Sequence, residues 1–194
     1  MSLIVDNILD MISHNGEAET LEDISTFECP MNSEVVIYLK KNAIDFAKKK
    51  LSVTYLVSDS TDGEIVGYFT LAHKVIEVRK GSISSKIEKR MSRFAPFDET
   101  NKSYTFSSFL LAQFSKNYAV DDGKRIDGCT LMDLADEVMR DVQHKVGGGY
   151  IYLDVLSKND GVVKFYKDNY GYHEFNKRVS SADGNEYTQM IRAI

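Results

Sequence analysis

The run Tyr150-Ile-Tyr-Leu-Asp-Val-Leu156 is followed almost at once by Asn159-Asp-Gly-Val-Val-Lys-Phe-Tyr166, and then by Lys167-Asp-Asn169-Tyr-Gly171-Tyr172. The first run is apolar enough to predict a central strand. Asn159 and Tyr166 stand seven residues apart, which places them two turns apart on one face of a short helix. Gly171 is suited to end that helix, and Tyr172 opens the next strand. A helix leaving a central strand carries its first turn to the strand's C-terminal end, where open α/β sheets bind ligands.

Upstream, apolar residues at 3, 4, 8, 9, 11 and 12 predict a helix over residues 3 to 13, broken by a polar stretch to about Glu22. Residues 34 to 49 read as a clearer amphipathic helix (Val35, Val36, Leu39, Ala43, Phe46, Ala47), with Ser33 as its N-cap. Strands follow over Val53 to Ser58 and Ile65 to about Val78, joined at the turn Ser60-Thr-Asp-Gly63. Gly81 to Arg93 is polar and in part helical, and Ala95-Pro96-Phe97 ends it. A β-rich run extends from Tyr104 to Tyr118, residues 119 to 128 read as a loop, and a helix runs from Cys129 to about Val146 before Gly147-Gly-Gly149. Strands over Tyr172 to Val179 and Tyr187 to Ala193 close the chain. This order predicts an α/β fold with a mixed central sheet flanked by helices.

The 194 residues are expected to form one domain over 1–194, enough to bury about 70% of the unfolded surface. Two prolines and no long polar tract argue against a disordered linker. A net charge of −5 excludes a surface that attracts nucleic acid as a whole. Cys29 and Cys129 make neither a zinc spacing nor a disulfide framework, and the four histidines (His14, His73, His144, His173) are scattered, so no metal site is expected. Acidic residues inside the first apolar run exclude a signal peptide, and no run approaches the roughly 20 apolar residues of a membrane span. A cytoplasmic protein is expected.

Asn159, six intervening residues, Tyr166 and the aromatic-Gly-aromatic turn resemble motif B of the GNAT acetyl-CoA-dependent N-acetyltransferases. The resemblance implies the GNAT fold, acetyl-CoA as cosubstrate, an amine acceptor and Tyr166 as general acid. A phenol of ordinary pKa about 10 is protonated at neutral pH and can donate to a departing thiolate. Asn159 is left between two roles, capping its helix or bonding the cofactor arm. Gly123-Lys-Arg-Ile-Asp-Gly128, leading into Cys129, resembles the family's pyrophosphate loop in degenerate form. In that alignment Gly128 is the final glycine, Gly123 replaces the initial Gln/Arg and Ile126 replaces the middle glycine. The backbone of residues 123 to 129, Asp127 included, would cradle the pyrophosphate at a helix N-terminus, with Lys124 and Arg125 adding positive charge. Phe114 and Lys116 match the pantetheine-bonding positions. The strand carries Gln113, Ser107 and Ser108 rather than a carboxylate, so no general base is apparent.

Phe27-Glu-Cys29, Tyr38-Leu39 with Ala43, Val53-Thr-Tyr55 and Gly67-Tyr68-Phe-Thr-Leu71 resemble the opening of the GNAT toxins of bacterial toxin–antitoxin modules. The two resemblances together cover about residues 25 to 178. They imply aminoacyl-tRNA as acceptor and an antitoxin protein as partner, and leave a homodimer open. The chain departs from those toxins in being acidic and in a longer segment between Val78 and Tyr104. Within residues 79–93, however, Arg79, Lys80, Lys86, Lys89, Arg90 and Arg93 face only Glu88, a local balance of 6 − 1 = +5 that can dock a phosphate backbone. A solvated helix face, a non-catalytic acetyl-CoA-binding regulatory module, and an acetyltransferase of small-molecule or protein amines remain the alternatives.

Overall fold

Short polar side chains set several of the helix starts. In the computed structural model, which describes residues 2–181 and 183–194, Asn7, Asn32 and Asn159 each accept a backbone N–H of the helix that follows. The elements run β1 (Leu3–Asn7), α1 (Ile8–Asn15), α2 (Glu17–Ser25), α3 (Ser33–Ile37), a π-helical turn (Tyr38–Asn42) and α4 (Ala43–Lys48). They continue with β2 (Val53–Asp59), β3 (Ile65–Arg79), α5 (Ser85–Met91), β4 (Phe97–Asp98), β5 (Ser103–Lys116) and α6 (Gly128–Val146). The chain ends with β6 (Tyr150–Leu156), α7 (Asp160–Tyr170), β7 (His173–Val179) and β8 (Glu186–Ala193).

The strands form one mixed eight-stranded sheet in the order β1-β2-β3-β5-β6-β8-β7, with β4 paired to β5. The expected α/β class and mixed sheet are therefore found. β5 and β6 are parallel, in the register Phe109↔Ile151 and Leu110↔Tyr152, and the other registered pairs are antiparallel.

The chain resolves into two compact units, residues 1–72 with 111–141 and residues 73–110 with 142–194. The first has a core of Ile8, Ile24, Phe27, Leu39, Leu56 and Tyr68, among others. The Tyr68 hydroxyl donates to the Val35 carbonyl at 2.6 Å, so its polar end is satisfied inside that core. The second has a core of Val78, Met91, Phe106, Tyr150, Tyr152 and Ile191, among others. No helix among the described residues is long and apolar enough to cross a membrane.

Three N-terminal expectations need correction. Leu3–Asn7 is a strand, held by antiparallel pairing with β2 from Leu3↔Asp59 to Asn7↔Tyr55, and the helix starts only at Ile8. The polar stretch before Glu22 is helical: α2 buries only Thr20 and Ile24, a stripe too thin to register as amphipathic. The cap of α3 is Asn32 rather than Ser33, its side chain accepting from Glu34 N–H at 3.0 Å. Buried Val35, Leu39, Ala43 and Ala47 then recur every fourth residue. Four exceeds the 3.6-residue turn, and the wider π turn at Tyr38–Asn42 absorbs the drift.

Candidate active site

The loop before α6 is built from the end of β5. Asn117 is buried and acts as a clamp: its Oδ1 accepts the N–H groups of Glu28 and Ala119 (both 3.0 Å), and its Nδ2 donates to the Ile65 carbonyl at 2.7 Å. Nothing in the local pattern marks the clamp, because two of its three partners, Glu28 and Ile65, lie far away in sequence. Ile126 is buried, so its side chain serves the core and the loop can offer only its backbone there. Gly123 and Cys129 are exposed, as is Asp127.

Asp127 caps α6. Its Oδ1 accepts from Cys129 N–H at 2.8 Å and Thr130 N–H at 2.9 Å, and its Oδ2 accepts the Thr130 hydroxyl. These hydrogen bonds, that of the Thr130 hydroxyl foremost, hold the carboxyl below the usual carboxylate range. The two backbone donors are of the kind that receives phosphate oxygens at helix N-termini. In this structure both donors are taken by the chain's own Asp127 carboxylate.

Lys124 and Arg125 flank this point, as expected, but both are engaged. Lys124 pairs with Asp62 and Glu64. Arg125 pairs with Asp122 at 2.7 Å, lies over the Tyr118 ring at 4.9 Å, and reaches the carbonyls of Tyr118 and Val120. The expected positive charge is thus balanced locally by three carboxylates. In the same unit, Phe114 and Lys116 lie half-buried on the last part of β5, with the Lys116 ammonium over the Tyr118 ring at 5.6 Å.

The other unit carries β6 and α7. Asn159 is exposed and caps α7, its Oδ1 accepting Val162 N–H at 3.4 Å, so the capping role is occupied. Gly171 closes the helix in the left-handed conformation (φ 66°), and Tyr172 N–H returns to the Tyr166 carbonyl at 3.2 Å. Tyr166 is buried, edge-on to Phe165 (5.2 Å between ring centroids) and Tyr172 (5.4 Å). Burial drives its phenol well above the ordinary value, and the neighbouring phenols of Tyr172 and Tyr170 add to the shift. At the C-terminal end of β6 lies an open cavity of about 320 Å³ lined by Leu156, Ser157, Lys158, Lys177, Asn185 and Glu186. Lys177 and Glu186 pair across it at 3.2 Å.

The basic segment belongs to this second unit. Arg79, Lys80, Lys86, Lys89, Arg90 and Arg93 are all exposed, and among the described residues none of them forms an ion pair. Glu88 instead accepts the backbone N–H of Gly81. The local excess of cations is therefore available to an outside anion. No group of His, Cys, Asp and Glu among the described residues could hold a metal ion.

No protein-family model and no curated protein matches the chain. Solved structures do. AtaT complexed with acetyl-methionyl-tRNAfMet is 16% identical, with a TM-score of 0.63 over 96% of this chain and 94% of that one. A Tyr-to-Phe mutant of the AtaT toxin, bound to the C-terminus of the antitoxin AtaR and acetyl-CoA, is 15% identical (TM-score 0.62, 100% and 94%). A Tyr-to-Phe mutant of KacT is 16% identical (TM-score 0.63, 100% and 95%). The chain has the fold of these toxin structures, the GNAT fold, over essentially its whole length.

Proposed function

We propose that the chain is an N-acetyltransferase, one catalytic domain over residues 1–194, that moves the acetyl group of acetyl-CoA to a primary amine by direct attack. The observation that carries this reading is the whole-length fold likeness, joined to a buried tyrosine on the capped helix that follows the central strand. The N–H donors of Cys129 and Thr130, with the loop from Gly123 to Gly128, hold the pyrophosphate. Phe114 and Lys116 offer backbone groups to the pantetheine, and Asn159 fixes the start of α7. Bound acetyl-CoA supplies the activated thioester.

Tyr166 holds a proton on Oη across the physiological range, because burial disfavours the phenolate. Each unit by which a donor's pKa exceeds that of the group it protonates costs about 1.4 kcal/mol for complete transfer. Tyr166 therefore acts first as a hydrogen-bond donor to the sulfur as it gains charge. The acceptor is aminoacyl-tRNA, docked through residues 79–93, with a small antitoxin as protein partner in the cytoplasm. Six unpaired cations support this, as do the tRNA and the antitoxin bound to the AtaT structures.

The test is to offer radiolabelled acetyl-CoA with charged tRNAs, polyamines and peptides in parallel. Label appearing on the aminoacyl ester alone is the expected result. Label on polyamine or peptide would reassign the acceptor. Tight acetyl-CoA binding with no transfer to any amine would favour the non-catalytic regulatory reading, to which the internally occupied loop also speaks.

A further inference from the structure

We propose that Phe94 is a stacking platform for one unpaired base of the RNA that residues 79–93 dock, so that this surface reads a single-stranded end rather than a duplex. The inference rests on reading those residues as an RNA-docking surface. Met91 and Ala95 lie in the core of their unit, with Ile87 packed against it, and they fix the segment. Lys86, Lys89, Arg90 and Arg93 remain in water, and Phe94 follows them half-exposed. A single exposed apolar side chain is ordinary; this one is set apart by how it is held. Its ring lies edge-on to Tyr150 at 5.3 Å between centroids and fills the space that a Cβ at Gly149 would need. Phe97, the next aromatic along, already carries the Lys80 ammonium at 5.3 Å from its centroid and packs on Tyr104. Among the described residues no cation lies over Phe94.

Tyr150 marks the same place independently. Its hydroxyl is buried and meets no hydrogen-bond partner among the described residues. Burial raises this phenol, and the charges of Arg90 and Arg93 oppose the shift, so both guanidiniums act on the residue that supports the Phe94 ring. Cations, a fixed aromatic ring and an unanswered hydroxyl thus gather at one part of the surface. A nucleotide offers the complement, with phosphate oxygens for the guanidiniums and a planar base for the ring. An acidic peptide offers the charge without the plane. In a duplex the bases already stack on one another, so only an unpaired base can take the ring.

Fluorescence anisotropy of the full chain tests this with three labelled probes. They are a synthetic RNA hairpin with an unpaired 3′ tail, the same hairpin with abasic sugars in its tail, and polyglutamate. The two hairpins carry equal phosphate charge and differ only in the bases. Wild type should bind the intact tail about tenfold more tightly than the abasic one. Phe94→Leu should lose that preference and Phe94→Trp should keep it. Neither should alter the salt dependence, because no charge has changed, whereas Arg93→Gln should reduce the slope by about one. Thermal melts check the folding of each variant, and the wild-type comparison of the two tails stands without them. Equal wild-type affinity for the two tails, or a preference retained by folded Phe94→Leu, would overturn the platform and leave the docking surface intact. An equal loss toward polyglutamate in Phe94→Leu would also overturn it, because the ring would then serve any polyanion. Binding of neither hairpin by wild type would overturn both the platform and the docking surface.

Discussion

Replacing Tyr166 by Phe removes one oxygen and leaves the ring that packs edge-on to Phe165 and Tyr172. Because the ring volume is retained, no cavity opens, and folding stability should fall by about 0.5–1.5 kcal/mol, the net worth of a hydroxyl's polar contact. The effect on chemistry should be larger. A positioned general acid contributes about 10²–10⁴-fold, and the lower bound corresponds to about 2.7 kcal/mol of transition-state stabilisation. We expect kcat to fall about 10²-fold or more while acetyl-CoA affinity changes less than about twofold, because the sulfur gains charge only as its bond to the acetyl group breaks. Thiol release under saturating acetyl-CoA and charged tRNA measures the first quantity, and calorimetry the second. The pH profile adds a second arm. Burial holds the phenol well above its ordinary value, so wild-type kcat should show no descending limb from loss of the Tyr166 proton below about pH 10. A mutant rate within about threefold of wild type would refute the acid assignment. A wild-type limb near pH 8 that the mutant lacks would refute the buried-phenol argument.

Reversing Lys86, Lys89 and Arg90 to Glu should abolish tRNA binding in a filter assay and spare acetyl-CoA titration; intact tRNA binding would remove residues 79–93 from the interface. Gly149→Ala sets a Cβ into the Phe94 ring, and chemical denaturation should show a loss of about 1–3 kcal/mol, typical of overpacking. Adding Phe94→Ala should recover part of that loss, and an unshifted Gly149→Ala midpoint would show that the half-exposed ring yields freely. The buried phenols of Tyr68 and Tyr166 are both raised by desolvation, so the fold favours the proton-bearing form and the unfolded chain ionises first. Stability should be complete below about pH 10 and fall as pH rises above it, and a flat denaturation midpoint from pH 9 to 11 would contradict the burial of these groups.

The legible parts of the fold were those whose signals are local. The β6 run, the spacing from Asn159 to Tyr166, Gly171, and the Ser60–Gly63 turn all carry their structure in residues near one another. β1 was not legible, because Leu3–Asn7 owes its strand conformation to β2, some fifty residues on. α2 escaped because its buried stripe is two residues wide. The cap of α3 was misplaced by one residue, a difference decided by which side chain reaches Glu34 N–H. At the candidate site, residue types were legible and their engagements were not. Lys124 meets Asp62 only because the β2–β3 turn comes back to the loop, and the sequence separation of 62 hides this.

The two cationic segments make the same point about function. Lys124 and Arg125 look like ready anion ligands, yet carboxylates from the loop itself and from a distant turn neutralise them. Residues 79–93 look like an ordinary solvated face, yet their single acidic residue turns to the backbone of Gly81 and leaves six cations unpaired. Net charge distinguishes neither case, because a surface attracts an outside anion through the cations its own carboxylates do not reach. On that measure the basic segment is open to a polyanion as it stands, whereas the two cations of the loop before α6 are already met by carboxylates.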